Sequence, residues 1–242
     1  MRILIIRHGD PDYEKDSLTE KGWKEAELLA ERIARLDVAE FYCSPLGRAR
    51  DTASVTLRKM DRAAIICDWL REFPPLIRRP DDRERKKISW DWLPEDWMAD
   101  ASYFLRDQWY KTEIMKAGKV GETYEGIIRN FDALLAEHGY VREGEYYRAE
   151  RPNRDTIVFF CHFGLECVLL SHLMNVSPMI LWHHTCAAPT AVTTVTTEER
   201  RKGKAVFRIN AFGDISHLYA AGEAPSFSAR FCETFDSEER HD

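Results

Sequence analysis

Ile3-Leu4-Ile5-Ile6-Arg7-His8-Gly9 is the stretch whose reading decides the fold. Its apolar half reads as a buried β-strand. A cation, an imidazole and a glycine at the end of a first strand make a chemical site rather than core filling. An imidazole there can attack a phosphorus atom, and a guanidinium can hold phosphate oxygens. A glycine lets the backbone turn sharply close to a ligand.

Moving outward, Leu18-Thr19-Glu20-Lys21-Gly22 leads into a helix with Trp23, Ala26, Leu29, Ala30 and Ile33 at helical spacing and Thr19 as N-cap. Val38 to Cys43 reads as a short buried strand. Ser44-Pro45 then has the form of a helix start, Ser as N-cap and Pro at the first helical position. Ala64 to Cys67 reads as a third strand. This β-α-β-α-β order predicts a parallel sheet covered by helices.

The pattern breaks over residues 74–121. Pro74-Pro75 opens the segment, and a mixed-charge run from Arg78 to Lys87 follows. Trp90, Trp92, Trp97 and Trp109 are four of the chain's seven tryptophans. So long an excursion reads as a lid over a ligand or as a helical subdomain with its own aromatic core, and the two are compatible. Order returns at Thr123 with an amphipathic helix through Ile127, Phe131, Leu134 and Leu135 to a glycine stop at Gly139. Thr156 to Cys161 is a second strongly apolar strand. It ends in His162-Phe163-Gly164 and passes into the apolar helix Leu165 to Met174. A β-hairpin follows: Ala191 to Thr196, a turn around Arg200-Arg201-Lys202-Gly203, then Ala205 to Ile209. The charged stretch from Phe235 to Asp242 is expected to fray. The expected fold is therefore α/β, one domain over residues 1–242. A mostly parallel central sheet is flanked by helices on both faces, with a helical or loop insertion at about 74–121 as lid and a C-terminal β-hairpin.

Composition narrows the function classes. The chain's 242 residues are 44% hydrophobic and 31% charged, and no apolar run is long enough to span a bilayer. A net charge of −6 argues against a general nucleic-acid binder, so a substrate anion needs a local basic pocket. Met1-Arg2-Ile3 runs directly into a strand, unlike a cleavable signal peptide. The six cysteines form no CxxC pair and read as reduced thiols, so a cytoplasmic setting is expected. His183-His184 is a weak metal signal, because adjacent histidines on a helix point in different directions. No metal or cofactor is expected, and the oligomeric state is open, with a homodimer as one candidate.

Two strands end in histidine followed closely by glycine: Ile6-Arg7-His8-Gly9 and Cys161-His162-Phe163-Gly164. Open parallel sheets place ligands at the carboxyl ends of their strands. If these strands are neighbours, both imidazoles face one pocket. Arg48 lies near the end of another strand, although an exposed helix arginine by itself needs no such role. Asp10, Glu122 and Glu166 are carboxylates able to approach the same place.

At this point the chain resembles the histidine phosphatase superfamily, also called phosphoglycerate mutase-like. The matching pieces are Arg7-His8-Gly9, Leu18-Thr19-Glu20-Lys21-Gly22 and Ser44-Pro45-Leu46-Gly47-Arg48-Ala49-Arg50-Asp51-Thr52-Ala53. Leu70-Arg71-Glu72, Gly121-Glu122-Thr123 with Arg129, and His162 follow in order. The resemblance implies His8 as a nucleophile that becomes phosphohistidine. It implies Arg7, Arg48 and His162 as the grip on the phosphoryl oxygens, with Gly9 and Phe163 against the phosphate. It makes Glu72 the general acid, where the residues alone suggest a surface carboxylate beside Arg71. Phosphoryl transfer needs positioning and charge neutralisation, which two arginines supply without a metal.

The chain departs from the family pattern at Asp10-Pro11, where Glu or Gln then Ser or Thr is frequent. Glu14 stands near the place of an asparagine, and Phe163 where a small glycine is common. After Glu72 the chain goes to Phe73-Pro74-Pro75, with no clear equivalent of the mutase branch's extra residues. The function implied is a metal-independent phosphatase acting on a small phosphomonoester, with no nucleic acid or membrane partner. The alternatives are phosphoglycerate-mutase-type phosphotransfer and a non-catalytic phosphate-binding or interaction module. The mixed-charge run leaves Arg78 and Arg79 as either a second anion grip or a solvated surface.

Overall fold

The first strand, β1 (Arg2–Arg7), is buried from Ile3 onward. Ile3 and Ile5 point to one face of the sheet and Leu4 and Ile6 to the other, the alternation a strand imposes. Both faces are covered, which is why the strand reads as a continuous apolar run. The structure, a computed structural model, describes residues 1–228 and 232–240.

After β1 come the short pair β2 (Pro11–Asp12) and β3 (Ser17–Leu18), then α1 (Glu20–Ile33), β4 (Glu40–Cys43), α2 (Gly47–Met60) and β5 (Ile65–Ile66). The middle of the chain forms β6 (Leu76–Arg79), β7 (Asp82–Ile88), α3 (Pro94–Met98), α4 (Glu113–Ala117) and α5 (Val120–Glu137). Then follow β8 (Tyr140–Glu143), β9 (Tyr146–Ala149), β10 (Thr156–Cys161), α6 (Phe163–Met174) and α7 (Pro178–His184). The fold closes with β11 (Val192–Arg201), β12 (Lys204–Asp214) and α8 (Ser216–Ala220).

The main sheet has eight strands in the order β5-β4-β10-β1-β11-β12-β9-β8. Pairing is parallel from β5 to β1 and antiparallel from β1 to β8. The expected α/β class with a parallel core is what forms, inside a sheet that is mixed as a whole. The C-terminal hairpin forms with longer strands than expected, and β11 pairs directly with β1. The β8–β9 hairpin was not anticipated, because Arg142, Glu143 and Arg148 interrupt its apolar alternation.

On one face α1 and α2 set Leu29, Ile33, Ala49 and Ala53 against Leu4, Ile6, Val158 and Phe160. On the other, α5 and α6 set Phe131, Leu135, Leu165 and Leu169 against Ile3, Ile5, Ile157 and Phe159. Thr19 caps α1 as expected, its hydroxyl accepting from the Gly22 N–H. Gly139 takes a φ of +92° just beyond α5, the left-handed turn a glycine stop provides. Among the described residues no helix is long and apolar enough to cross a membrane.

Three expectations need correction. The helix after Ser44-Pro45 begins later, at Gly47, with Leu46 as a cap that makes no side-chain bond. The Ser44 hydroxyl lies instead 2.8 Å from His162 Nε2. The 74–121 excursion opens with the antiparallel pair β6–β7 rather than helix or loop alone. Its tryptophans do not build a core of their own. Trp92, Trp97 and Trp109 join the core beneath α5 and α6. Trp109 sits edge-on to Tyr124 at 5.1 Å and to Trp182 at 5.4 Å. Of the C-terminal stretch, Thr234 and Ser237 form a bridge, and residues 241–242 lie outside the described residues.

Candidate active site

Strand pairing assembles the site. β1 runs parallel to β10 with Arg7 opposite Cys161, and β10 runs parallel to β4 with Phe160 opposite Cys43. The residues that follow these strands, His8, His162 and Ser44, therefore stand together at the carboxyl edge of the sheet. All three are buried. The two imidazole centroids are 5.1 Å apart.

His8 Nδ1 lies 2.7 Å from the Gly9 carbonyl oxygen. A carbonyl only accepts, so Nδ1 carries the proton and Nε2 presents its lone pair. Arg48 Nε donates to that Nε2 at 3.3 Å. Burial, then the adjacent Arg7 and Arg48 charges, hold the His8 pKa well below its ordinary value. The ring is thus neutral and nucleophilic at Nε2.

Arg48 is braced from the far side. Its Nη1 donates to Asp16 Oδ1 at 2.6 Å, while the Gly47 N–H donates to Asp16 Oδ2 at 2.7 Å. Arg7 is buried; its Nη1 donates to the Ala187 carbonyl and its Nη2 to the Ser228 carbonyl, both at 2.7 Å. Its Nε has no hydrogen-bond partner among the described residues.

His162 also stays neutral, through burial first and then the charges of its neighbours. Its Nδ1 has no hydrogen-bond partner among the described residues. Glu72 reaches the start of α6: its Oε1 accepts from the Phe73 and Leu165 amides at 2.8 and 3.0 Å, and its Oε2 from Gly164 at 3.3 Å. Burial raises its pKa, while those amides and Arg7 pull the other way. Glu72 is accordingly not a surface carboxylate paired with Arg71, which faces Asp68 instead.

The family model of the histidine phosphatase superfamily (branch 1) matches residues 3–210. The chain belongs to that superfamily. A probable phosphatase of Schizosaccharomyces pombe is 24% identical over 233 residues, covering 90% of this chain and 95% of that protein. A Drosophila melanogaster mitochondrial serine/threonine-protein phosphatase of the Pgam5 type is 30% identical over 115 residues, 43% of this chain and 36% of its own length. Among solved structures, the Entamoeba histolytica phosphoserine phosphatase in complex with phosphoserine superposes with a TM-score of 0.55 at 19% identity, covering 90% of this chain and 98% of that one. The mycobacterial glucosyl-3-phosphoglycerate phosphatase gives 0.54 at 18%, covering 88% and 98%. At those identities the superpositions speak to the fold alone.

The other candidates of this histidine phosphatase superfamily chain have varied places. Gly9 donates its N–H to Thr52 Oγ1 at 2.9 Å. A Cβ on Gly9 would sit 2.8 Å from the Gly22 carbonyl, so its smallness admits α1. Phe163 is the first residue of α6, buried edge-on to Trp90 at 6.3 Å. Glu166 is buried nearby, and desolvation lifts its pKa to about 8. Asp10 accepts from Thr19, Ser226 and Ser228 hydroxyls, tying the C-terminal segment to the site's rim. Glu122 is exposed on α5 and Arg78 on β6. Arg79 is buried between Asp81 and Asp91, a structural ion cluster and not a second anion grip. His183 has both nitrogens occupied: Nδ1 donates to the Met179 carbonyl at 2.7 Å and Nε2 accepts from Trp92 N at 3.1 Å.

Ser44, Asp16, Tyr13 and Ser228 were not legible as site residues. Ser44 resembled a cap, and Asp16 and Tyr13 sit in a polar turn with no periodic signal. Tyr13 places its ring 5.5 Å from the Arg48 guanidinium.

Proposed function

We propose that this protein is a metal-independent phosphomonoesterase working through a phosphohistidine on His8. The observation that carries this is the His8 tautomer. Nδ1–H is held by the Gly9 carbonyl, so Nε2 is left as a lone pair beside the Arg48 guanidinium. The Arg48 guanidinium lies against Nε2, the Arg7 charge acts on the same ring, and the His162 ring stands 5.1 Å from it, which supports a pocket that supplies the cations and donors phosphoryl oxygens need.

The chemistry runs in two steps. His8 Nε2 forms a bond to phosphorus as the ester P–O bond breaks, and Glu72 gives its proton to the departing alkoxide. Water then attacks the phosphohistidine, Glu72 takes a proton from it, and inorganic phosphate and neutral His8 are released. The amides of Gly164 and Leu165 stabilise the Glu72 carboxylate between the two steps. Similarity to a probable phosphatase over most of the chain supports hydrolysis over phosphoryl transfer between alcohols.

Rapid acid-free quench with a 32P-labelled phosphomonoester tests the proposal. Label is expected on His8, stable in alkali and lost in acid, and absent from His8→Ala with at least a thousandfold loss of turnover, the order of magnitude for deleting a nucleophile. Undiminished phosphate release by His8→Ala overturns it. Interconversion of phosphorylated isomers without phosphate release points to a mutase, and failure to turn over phosphomonoesters by a folded protein points to a binding module.

A further inference from the structure

Gly164 marks a crowded point. A Cβ there would lie 2.6 Å from Glu72 Oε1 and 3.0 Å from Trp90 Cε2 and Nε1. The carboxyl and the indole therefore meet over the same piece of backbone at the start of α6. Trp90 Nε1 donates to the carbonyl of Phe73 at 3.2 Å, the residue after Glu72. Its ring packs edge-on against Phe163. The backbone around Trp90 is itself held. Trp92 Nε1 donates to the Ser89 carbonyl at 2.9 Å, and the Trp92 amide donates to His183 on α7.

We infer that Trp90, delivered by the 74–121 excursion, is a positioning residue that walls the Glu72 carboxyl from water and pins its backbone through Phe73, and so favours the acid form. This rests on Glu72 being the proton donor. The groups facing Glu72 are Arg7 from β1, the Cys161 thiol from β10, and the Cys167 thiol, the Glu166 carboxyl and two amides from α6. Arg7 and the amides favour the carboxylate. Desolvation favours the neutral acid. The indole is the piece of that apolar enclosure supplied by the excursion. Removing it admits water and shifts the balance toward the carboxylate. A general acid acts only when protonated, so turnover is then lost first on the alkaline side.

The test is a carboxyl 13C NMR titration of Glu72 in wild type, Trp90→Leu and Trp90→Phe, with Glu72→Gln assigning the resonance. The same proteins are assayed with phenyl phosphate across pH. In Trp90→Leu, Glu72 is expected to titrate at lower pH. kcat at pH 8 should fall about tenfold relative to wild type while the acid plateau stays within about twofold, the effect of a tenfold change in protonation. Trp90→Phe keeps an aromatic ring but loses the N–H and part of the wall, so it should fall between the two and guards against misfolding of the Leu variant. An unchanged Glu72 titration in either folded variant overturns the inference. Wild-type turnover of phenyl phosphate by Glu72→Gln would instead overturn Glu72 as donor, while the titration still decides what Trp90 does.

Discussion

His8 and His162 are both buried and neutral, yet they are held by different partners with different consequences. His8 is fixed by a carbonyl, which leaves a lone pair toward the pocket. His162 is fixed by the Ser44 hydroxyl. That hydroxyl already accepts from the Leu46 amide at 3.3 Å, and His162 Nε2 is the only acceptor for its proton among the described residues. A buried hydroxyl that does not donate is costly, so Ser44 donates to Nε2 and Nδ1 carries the His162 proton. His162 thereby presents an N–H where His8 presents a lone pair. Ser44→Ala is expected to lower kcat about tenfold to a hundredfold, the cost of losing one oriented donor to a developing oxyanion. Ser44→Thr should restore most of it. The 15N ring shifts of His162 check the cause: they should move from the Nδ1–H to the Nε2–H pattern in the alanine variant, and no such change would refute the tautomer argument.

At the level of elements, the turn between β2 and β3 docks on the first turn of α2. Asp16 sits there at a φ of +49°, one of the few non-glycine residues in that region. Its carboxylate bridges Gly47 and Arg48, so the turn sets the guanidinium that faces His8. A Cβ on Gly47 would come within 1.9 Å of the Asp16 carbonyl. Gly47→Ala is therefore expected to cost about 1–3 kcal/mol of stability by overpacking, measured by urea denaturation. Asp16→Asn should separate the two roles. The Asp16–Arg48 pair is partly exposed, so stability should change little. kcat/KM for phosphate esters should fall about tenfold, the scale of one misplaced charge contact. Equal losses in stability and in kcat/KM would show that Asp16 only supports the fold.

For the whole molecule, the buried titratable groups predict a pH dependence of stability. Burial raises the folded-state pKa of Glu25 to about 7 and of Glu166 to about 8. A raised carboxyl contributes stability that is fully present below its unfolded value and is lost as pH rises through the folded one. Burial lowers His8, His162 and His217, the last to about 4. Their contribution is present above the unfolded histidine value and is lost as pH falls. The two sets oppose each other up to neutral pH, and between pH 6.5 and 8 the remaining histidine gain is smaller than the loss from Glu25 and Glu166 together. The melting temperature should therefore be higher at pH 6.5 than at pH 8, and Glu166→Gln should remove part of the difference. A melting temperature that rises from pH 6.5 to 8 would contradict the assignment of Glu166 as a neutral buried acid.

Much of the site was legible because strand ends in a parallel sheet are chemical positions. The run Ile3 to Ile6 and the run Thr156 to Cys161 demanded burial on two faces, and each was followed by histidine and glycine. The 3.6-residue pattern likewise revealed α1 and α5, since an apolar stripe is a local property of the chain, and α6 stood out as a continuous apolar run buried nearly all round. What tertiary structure alone decided lies where contacts join residues far apart in sequence. Ser44 turned from cap to hydrogen-bond partner because β4 pairs with β10. Asp16 met Arg48 because a polar turn folds onto α2. Trp90 met Glu72 because the excursion packs into the main core instead of building its own. The residue types of the candidate site were therefore determined locally by the sequence. The protonation states and orientations of those residues were decided by long-range packing, because burial and hydrogen-bond partners exist only once the strands and the excursion have come together.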